Sequence, residues 1–155
     1  MYIRVLGSAA GGGYPQWNCN HPNSRRARAQ DPAARRRTQS SIAVSADGER
    51  WFLCNASPDL RQQITDNDIL HPKHGLRHSP IQGVVLPNAD VDHIAGLLTL
   101  RESQPLRLYG TRRVLDVLAA NSVFNVLNPE FVKREALELD APNRLTCPDG
   151  SDSGV

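Results

Sequence analysis

A short apolar run at residues 81–86 constrains the fold of this chain more than any other feature. The run reads Ile-Gln-Gly-Val-Val-Leu and has the length of a buried strand. A polar turn, Pro-Asn-Ala-Asp, follows at residues 87–90, and a helical pattern with apolar residues at 94, 97 and 98 continues to residue 101. Strand, polar turn and helix in this order present side chains at the carboxyl end of a strand, where α/β and related folds carry functional sites.

Comparable patterns predict the elements on either side of this unit. Residues 2–6, 40–45, 50–54 and 106–109 look like strands, and the turn at residues 46–49 joins two of them as a β-hairpin. Ser57 is expected to cap a short helix that has Pro58 at its first position, and Thr111 to cap a helix that ends at residue 120. The order of elements predicts an α/β fold of the layered α+β type. We expect the domain to span residues 1–134 and residues 135–155 to form a divergent, poorly ordered tail.

Composition narrows the class of protein. A chain of 155 residues with 39% hydrophobic residues fits one globular domain or part of one. The net charge of +2 is too small to imply a nucleic-acid partner. No apolar stretch approaches the ~18 residues of a membrane span, and no signal peptide is recognisable at the start, so we expect no membrane association and a cytoplasmic location. The three cysteines are scattered, which fits reduced thiols.

Two further segments allow more than one interpretation. The glycine cluster at residues 7–13 lacks the ending of a nucleotide-binding loop, so close approach of the backbone to a site is favoured over phosphate binding. Residues 14–37 have no sustained period and contain six arginines, which predicts a long loop. The arginines fit either an acidic ligand or a solvated face, and the solvated face is favoured.

The residues best suited to chemistry follow the strand at residues 81–86. Asp90, Asp92 and His93 lie within four positions, and Asn88 precedes them by two. Carboxylate oxygens and an imidazole nitrogen from one turn can hold zinc, manganese or ferrous iron. On these residues alone, metal binding and capping of the next helix by Asp90 or Asp92 explain the pattern equally well.

Several sequence blocks, in order and spacing, resemble the PqqB family of metallo-β-lactamase-fold proteins, which take part in the synthesis of pyrroloquinoline quinone (PQQ). The blocks are residues 7–13, 15–20, 37–42, 55–61 and 88–98, the last reading Asn-Ala-Asp-Val-Asp-His-Ile-Ala-Gly-Leu-Leu. The resemblance implies the N-terminal half of a metallo-β-lactamase-like αββα sandwich. It also implies a role in making PQQ from a peptide-derived precursor, as an iron-dependent oxygenase that hydroxylates a tyrosine-derived ring. The alternatives are a carrier that helps PQQ or its precursor reach the periplasm, and an inactive fragment.

The resemblance also implies roles for individual residues. Asp92 and His93 would be iron (Fe²⁺) ligands, Asp90 a further ligand or a base, and Asn88 a hydrogen-bonding residue. Asn88 and Asp90 stand where the fold's metal-binding motif has histidines, which argues against a β-lactamase. A structural zinc site is implied near Cys19 and His21, although Ser24 replaces a further cysteine ligand. The implied partners are the precursor and, beyond it, other PQQ biosynthesis proteins or a second copy in a homodimer.

Overall fold

A single mixed sheet organises the chain, and the computed structural model describes all residues from 1 to 155. Its six strands lie side by side in chain order. The strands are β1 (Tyr2–Gly7), β2 (Ser41–Ser45), β3 (Trp51–Cys54), β4 (Ile81–Leu86), β5 (Leu106–Gly110) and β6 (Val132–Ala136). The α-helices are α1 (Pro22–Arg28), α2 (Leu60–Thr65), α3 (Val91–Ile94) and α4 (Arg112–Ala120), and 3-10 helices cover Asp68–Leu70, Ala95–Leu100 and Ser122–Val126. No helix is both long and apolar enough to cross a membrane.

The sheet changes from antiparallel to parallel at β3. Strands β1, β2 and β3 pair antiparallel, whereas β3 to β6 pair parallel. Parallel neighbours need a crossover connection, and those after β3, β4 and β5 carry α2, α3 and α4 respectively. The carboxyl ends of β3, β4 and β5 therefore lie at one edge of the sheet, and the turn after β4 lies at that edge.

The main hydrophobic core lies between the sheet and the helices. Leu53, Val84 and Leu108 occupy paired positions on β3, β4 and β5 and are fully buried. They belong to one cluster with Leu60 of α2 and Leu118 of α4. The side chains of a strand alternate between its two faces. Alternate apolar residues of these strands therefore pack against the helices, and the residues between them lie on the opposite face of the sheet.

The opposite face of the sheet is covered only in part. Phe52 and Tyr109 form a smaller cluster there with Cys147 of the C-terminal tail. At the β1 end of the same sheet, Ile3 and Val5 remain 64% and 62% exposed. The tail thus packs on one end of this face and leaves the other end open.

Residues 135–155, which the sequence predicts to form a poorly ordered tail, make contacts with the sheet. Strand β6 crosses that boundary and ends at Ala136. Farther along, the Tyr109 hydroxyl donates to the Thr146 carbonyl at 2.9 Å and accepts from its backbone N–H at 2.9 Å. The Arg107 guanidinium donates to the Cys147 carbonyl at 2.8 Å. These long-range contacts hold a segment that has no periodicity of its own.

Several predicted elements are present, with differences at their ends. The hairpin of β2 and β3, the strands β4 and β5, and the Thr111 cap of α4 are confirmed. The Ser57 cap is wrong, because α2 begins at Leu60 and the Ser57 hydroxyl turns into the interior toward Gln63. The helix predicted over residues 93–101 is α3 followed by a 3-10 helix. Helix α1 lies inside the predicted loop, where the side chain of His21 caps it.

Candidate metal centre

The turn after β4 is shaped by its own polar groups. The Asn88 side-chain oxygen accepts a hydrogen bond from the Asp90 backbone N–H at 2.9 Å. Asp90 then precedes α3, and its carbonyl accepts from the His93 and Ile94 N–H groups. Its carboxylate makes no capping hydrogen bond. Capping by the Asp90 side chain therefore does not explain why an aspartate occupies this position.

Asp92 and His93 come together on one side of the turn. Asp92 Oδ1 lies 3.0 Å from His93 Nδ1, and the two side chains are 27% and 24% exposed. The two atoms are close but form no hydrogen bond, and Nδ1 is therefore buried without a hydrogen-bond partner. A buried polar atom left unpaired costs about 1–3 kcal/mol. A carboxylate oxygen and an unpaired imidazole nitrogen beside each other are suited to share a cation.

The glycine cluster after β1 approaches this pair closely. A β-carbon built on Gly11 would lie 2.6 Å from Asp92 Oδ2 and 3.1 Å from its carboxyl carbon. Any side chain at residue 11 would displace the carboxylate, so glycine allows the loop to approach this closely. This supports the interpretation of the cluster as backbone crowding at a site.

Asn55 and the residue after it contact the backbone of the same pair. Asn55 follows β3 with φ of 86°, a left-handed conformation that Asn adopts more readily than most residues. Its side-chain N–H group donates to the Ser40 carbonyl at 2.5 Å and reaches the Asp92 carbonyl at 3.5 Å. The next residue, Ala56, donates its backbone N–H to the His93 carbonyl at 3.0 Å. The sequence patterns did not single out Asn55 or assign Gly11 to Asp92; the available signal was an Asn directly after a strand.

Asn88 and Asp90 belong to a different side of the turn. They line a cavity of about 420 Å³ together with Thr111 and Arg113 at the start of α4. No group of three or more His, Cys, Asp or Glu side chains is placed to hold a metal ion. Of the four predicted residues, the structure brings Asp92 and His93 together and places Asn88 and Asp90 toward α4.

The residues of the implied zinc site, Cys19 and His21, have protein partners. The Ser24 hydroxyl donates to Cys19 Sγ at 3.2 Å, and His21 Nδ1 accepts from the Asn23 N–H at 3.3 Å. The hydrogen bond from Ser24 is the main cause that lowers the pKa of the Cys19 thiol. Here too no third metal-binding side chain is nearby.

Comparison with known proteins decides the family. A model described as a beta-lactamase superfamily domain matches residues 50–152, about two thirds of the chain. The chain belongs to the beta-lactamase superfamily. The α/β fold predicted from the sequence is thereby confirmed.

Individual proteins and solved structures are similar to this chain over most of its length. "Coenzyme PQQ synthesis protein B" of Xanthomonas oryzae pv. oryzae (strain MAFF 311018) is 61% identical over 142 residues, covering 92% of this chain and 48% of that protein. The crystal structure of Zn(2+)-bound PqqB from Methylobacterium extorquens has 57% identity and a TM-score of 0.89, covering 91% of this chain and 50% of that one. The crystal structure of a diphosphatase from the PhnP family has 26% identity and a TM-score of 0.71, covering 91% of this chain and 52% of that one. The chain thus spans about half the length of the superfamily relatives it matches.

Proposed function

We propose that this chain serves PQQ synthesis as a PqqB-type member of the beta-lactamase superfamily, with a divalent metal held at Asp92 and His93. The observation that carries the proposal is the buried, unpaired His93 Nδ1 at 3.0 Å from the Asp92 carboxylate. Identity of 61% to a coenzyme PQQ synthesis protein B, and a zinc-bound solved relative, support the role and the metal.

The donor set fits a metal but does not complete its coordination. One oxygen and one nitrogen suit zinc, manganese or ferrous iron. Zinc takes four ligands in most structural sites and three protein ligands in catalytic ones. Asp92 and His93 would therefore be two ligands of a larger set, and at least one further ligand would have to come from another residue.

The finer proposal is an iron-dependent oxygenase that hydroxylates a tyrosine-derived ring of the precursor. Ferrous iron with an open coordination position, if bound there, would supply activation of O₂. In this chain Gly11 and Asn55 would fix the position of Asp92. Asp90, whose carboxylate is not used as a cap, would accept a proton, and Asn88 would donate a hydrogen bond to the ligand in the adjoining cavity. A cytoplasmic location and contacts with other proteins of PQQ synthesis belong to the same proposal.

Metal content tests the site. The chain is reconstituted anaerobically with ferrous iron, and separately with zinc, then desalted and analysed for metal. We expect about one bound ion, and its loss in Asp92→Asn and in His93→Gln, since each variant keeps the shape of the side chain but removes a ligand. Matched controls are Asp116→Asn and His74→Gln, which change exposed residues elsewhere. Equal metal in all variants would show that the ion binds at another place.

Production of PQQ tests the role. The PqqB gene is deleted from a bacterium that produces PQQ. The deletion strain then receives this chain or its Asp92→Asn variant, and PQQ is measured in the medium. We expect the chain to raise PQQ above the empty-vector level and the variant to lower it again. If the chain binds its metal but PQQ stays at the empty-vector level, the result contradicts the proposed role.

A further inference from the structure

The charge of the chain is distributed unevenly. Residues 1–40 contain seven arginines and a single acidic residue, Asp31, a net charge of +6. The remaining 115 residues contain 11 basic and 15 acidic residues, a net charge of −4. The overall charge of +2 therefore conceals a strongly cationic N-terminal part.

An exposed tryptophan lies in this cationic part. Trp17 is 85% exposed, whereas the other tryptophan, Trp51, is 3% exposed. A single exposed tryptophan, held in a fixed loop among arginines, has the composition of a binding hot spot, because Trp and Arg dominate the energetics of protein interfaces.

The loop that carries Trp17 is held in place by one arginine. The Arg28 guanidinium donates to the carbonyls of Cys19 at 2.6 Å, Gln16 at 2.7 Å and Trp17 at 3.2 Å. A partner that covers Trp17 would thus meet a loop that is already ordered, which lowers the entropic cost of association.

Two more arginines lie on α1 or at its end and lack acidic partners. Arg25 of α1 donates to the Asn20 carbonyl at 3.2 Å, next to the Trp17 loop. Arg36 donates to the Arg28 carbonyl at 3.3 Å, which places it at the end of α1. Arg26 forms the one ion pair of this region, with Asp31. Trp17, Arg25, Arg28 and Arg36 are called the Trp–Arg surface below.

The glycine cluster connects the Trp–Arg surface to the candidate metal centre along the chain. A β-carbon on Gly12 would lie 3.2 Å from the side chain of Gln16, the residue before Trp17. The residue before Gly12 is Gly11, which approaches Asp92. The loop of the Trp–Arg surface and the glycine that approaches Asp92 therefore belong to one continuous segment, residues 11–17.

We propose that the Trp–Arg surface docks an acidic segment of a partner polypeptide. Planar guanidinium groups bind carboxylates in bidentate fashion, and Trp17 offers an apolar anchor. A short acidic segment fits better than a nucleic acid, because only residues 1–40 carry an excess of positive charge, whereas the remaining residues carry a net charge of −4. One exposed tryptophan also differs from the row of aromatic side chains on which successive bases stack. This inference goes beyond the proposed function and does not depend on a bound metal.

The test is a titration of the metal-free chain, in EDTA, with fluorescein-labelled hexaglutamate, followed by anisotropy. We expect saturable binding that weakens as NaCl is raised, and a blue shift of the Trp17 emission on covering. Trp17→Ala should weaken binding roughly tenfold or more, and Arg25→Gln and Arg36→Gln should each weaken it several-fold. The matched controls, Leu76→Ala for an exposed apolar residue and Arg112→Gln for an exposed arginine, should leave it unchanged.

Three results would overturn the proposal. One is no saturable binding of hexaglutamate by the folded chain at low salt. Another is equal weakening by the control variants, which would place the peptide elsewhere. The third is tighter binding of labelled oligothymidylate or of anionic lipid vesicles through the same residues, which would assign the surface to another class of partner. Because EDTA is present throughout, failure of the metal site would leave this binding intact.

Discussion

Replacement of Gly11 by alanine tests whether the glycine cluster positions Asp92. The added methyl group would lie 2.6 Å from Asp92 Oδ2, whereas ordinary contacts begin near 3.4 Å, so the carboxylate must withdraw by about 0.8 Å. Overpacking of this kind costs about 1–3 kcal/mol. The Asp92 side chain is 27% exposed and can move toward solvent. We therefore expect a cost close to the lower limit, about 1 kcal/mol.

The same displacement should affect metal binding more than stability. Moving Asp92 separates its carboxylate from His93 Nδ1, and losing the support of a metal ligand lowers metal affinity about 10–100-fold. Zinc affinity is measured by competition with a chromogenic chelator, and the free energy of unfolding by urea titration with an unchanged m-value. The expected pattern is a small loss of stability together with a large loss of zinc affinity.

A double-mutant cycle shows whether Asp92 is the cause. In the Asp92→Ala background the methyl group has no carboxylate to displace, so Gly11→Ala should cost almost nothing there. The same cost in both backgrounds would refute the proposed contact, and an unchanged zinc affinity in Gly11→Ala would refute its functional meaning.

Three further predictions concern backbone conformation, the tail and acid stability. Asn55→Ala should be about 1–2 kcal/mol less stable than Asn55→Gly, because φ is 86° at this residue and glycine adopts it without strain; equal stabilities in urea would contradict this. Tyr109→Phe should cost about 1–3 kcal/mol, because the hydroxyl bonds to both the carbonyl and the N–H of Thr146; an unchanged urea midpoint would show that the tail is not held there. Burial acts to raise the pKa of Asp47, but hydrogen bonds from the Arg50 N–H and guanidinium, the Glu49 N–H and the Ser45 hydroxyl outweigh it and hold the pKa well below its ordinary value. Since the folded pKa is depressed, this contribution is present above the unfolded pKa of about 3.9 and is lost as the pH falls through the folded value. The stability difference between the wild type and Asp47→Asn, measured in urea, should therefore shrink below about pH 4, and a difference independent of pH would contradict the assignment.

Local signals made several elements predictable from the sequence. Thr111 precedes a helix with an apolar stripe, and its hydroxyl does cap α4. The run at residues 81–86 forms β4 with the predicted bounds. Helix α1 escaped prediction because it buries only Ser24 and Ala27, so its arginine-rich sequence has no apolar period. Packing of Cys147 also escaped prediction, because it depends on Phe52 and Tyr109 at distant positions.

Part of the candidate metal centre was also predictable from the sequence. Asp92 and His93 are adjacent in sequence and meet in space. The supports of the pair come from afar, since Gly11 and Asn55 lie on other loops and are brought to the turn by the sheet. The resemblance implied that Asp90 is a further metal ligand or a base, a role in which it would face the same pair. The Asn88 hydrogen bond to the Asp90 N–H instead folds the turn tightly, and both residues line the cavity beside α4.

X-ray absorption of the zinc-loaded chain tests whether Asp92 and His93 hold the metal, because it identifies the atoms bound to the metal. We predict nitrogen and oxygen neighbours at about 2.0–2.2 Å, with an imidazole contribution that disappears in His93→Gln while the other four histidines remain. Sulfur at about 2.3 Å would place the metal at a cysteine such as Cys19. An imidazole contribution that persists in His93→Gln would likewise contradict a centre formed by Asp92 and His93.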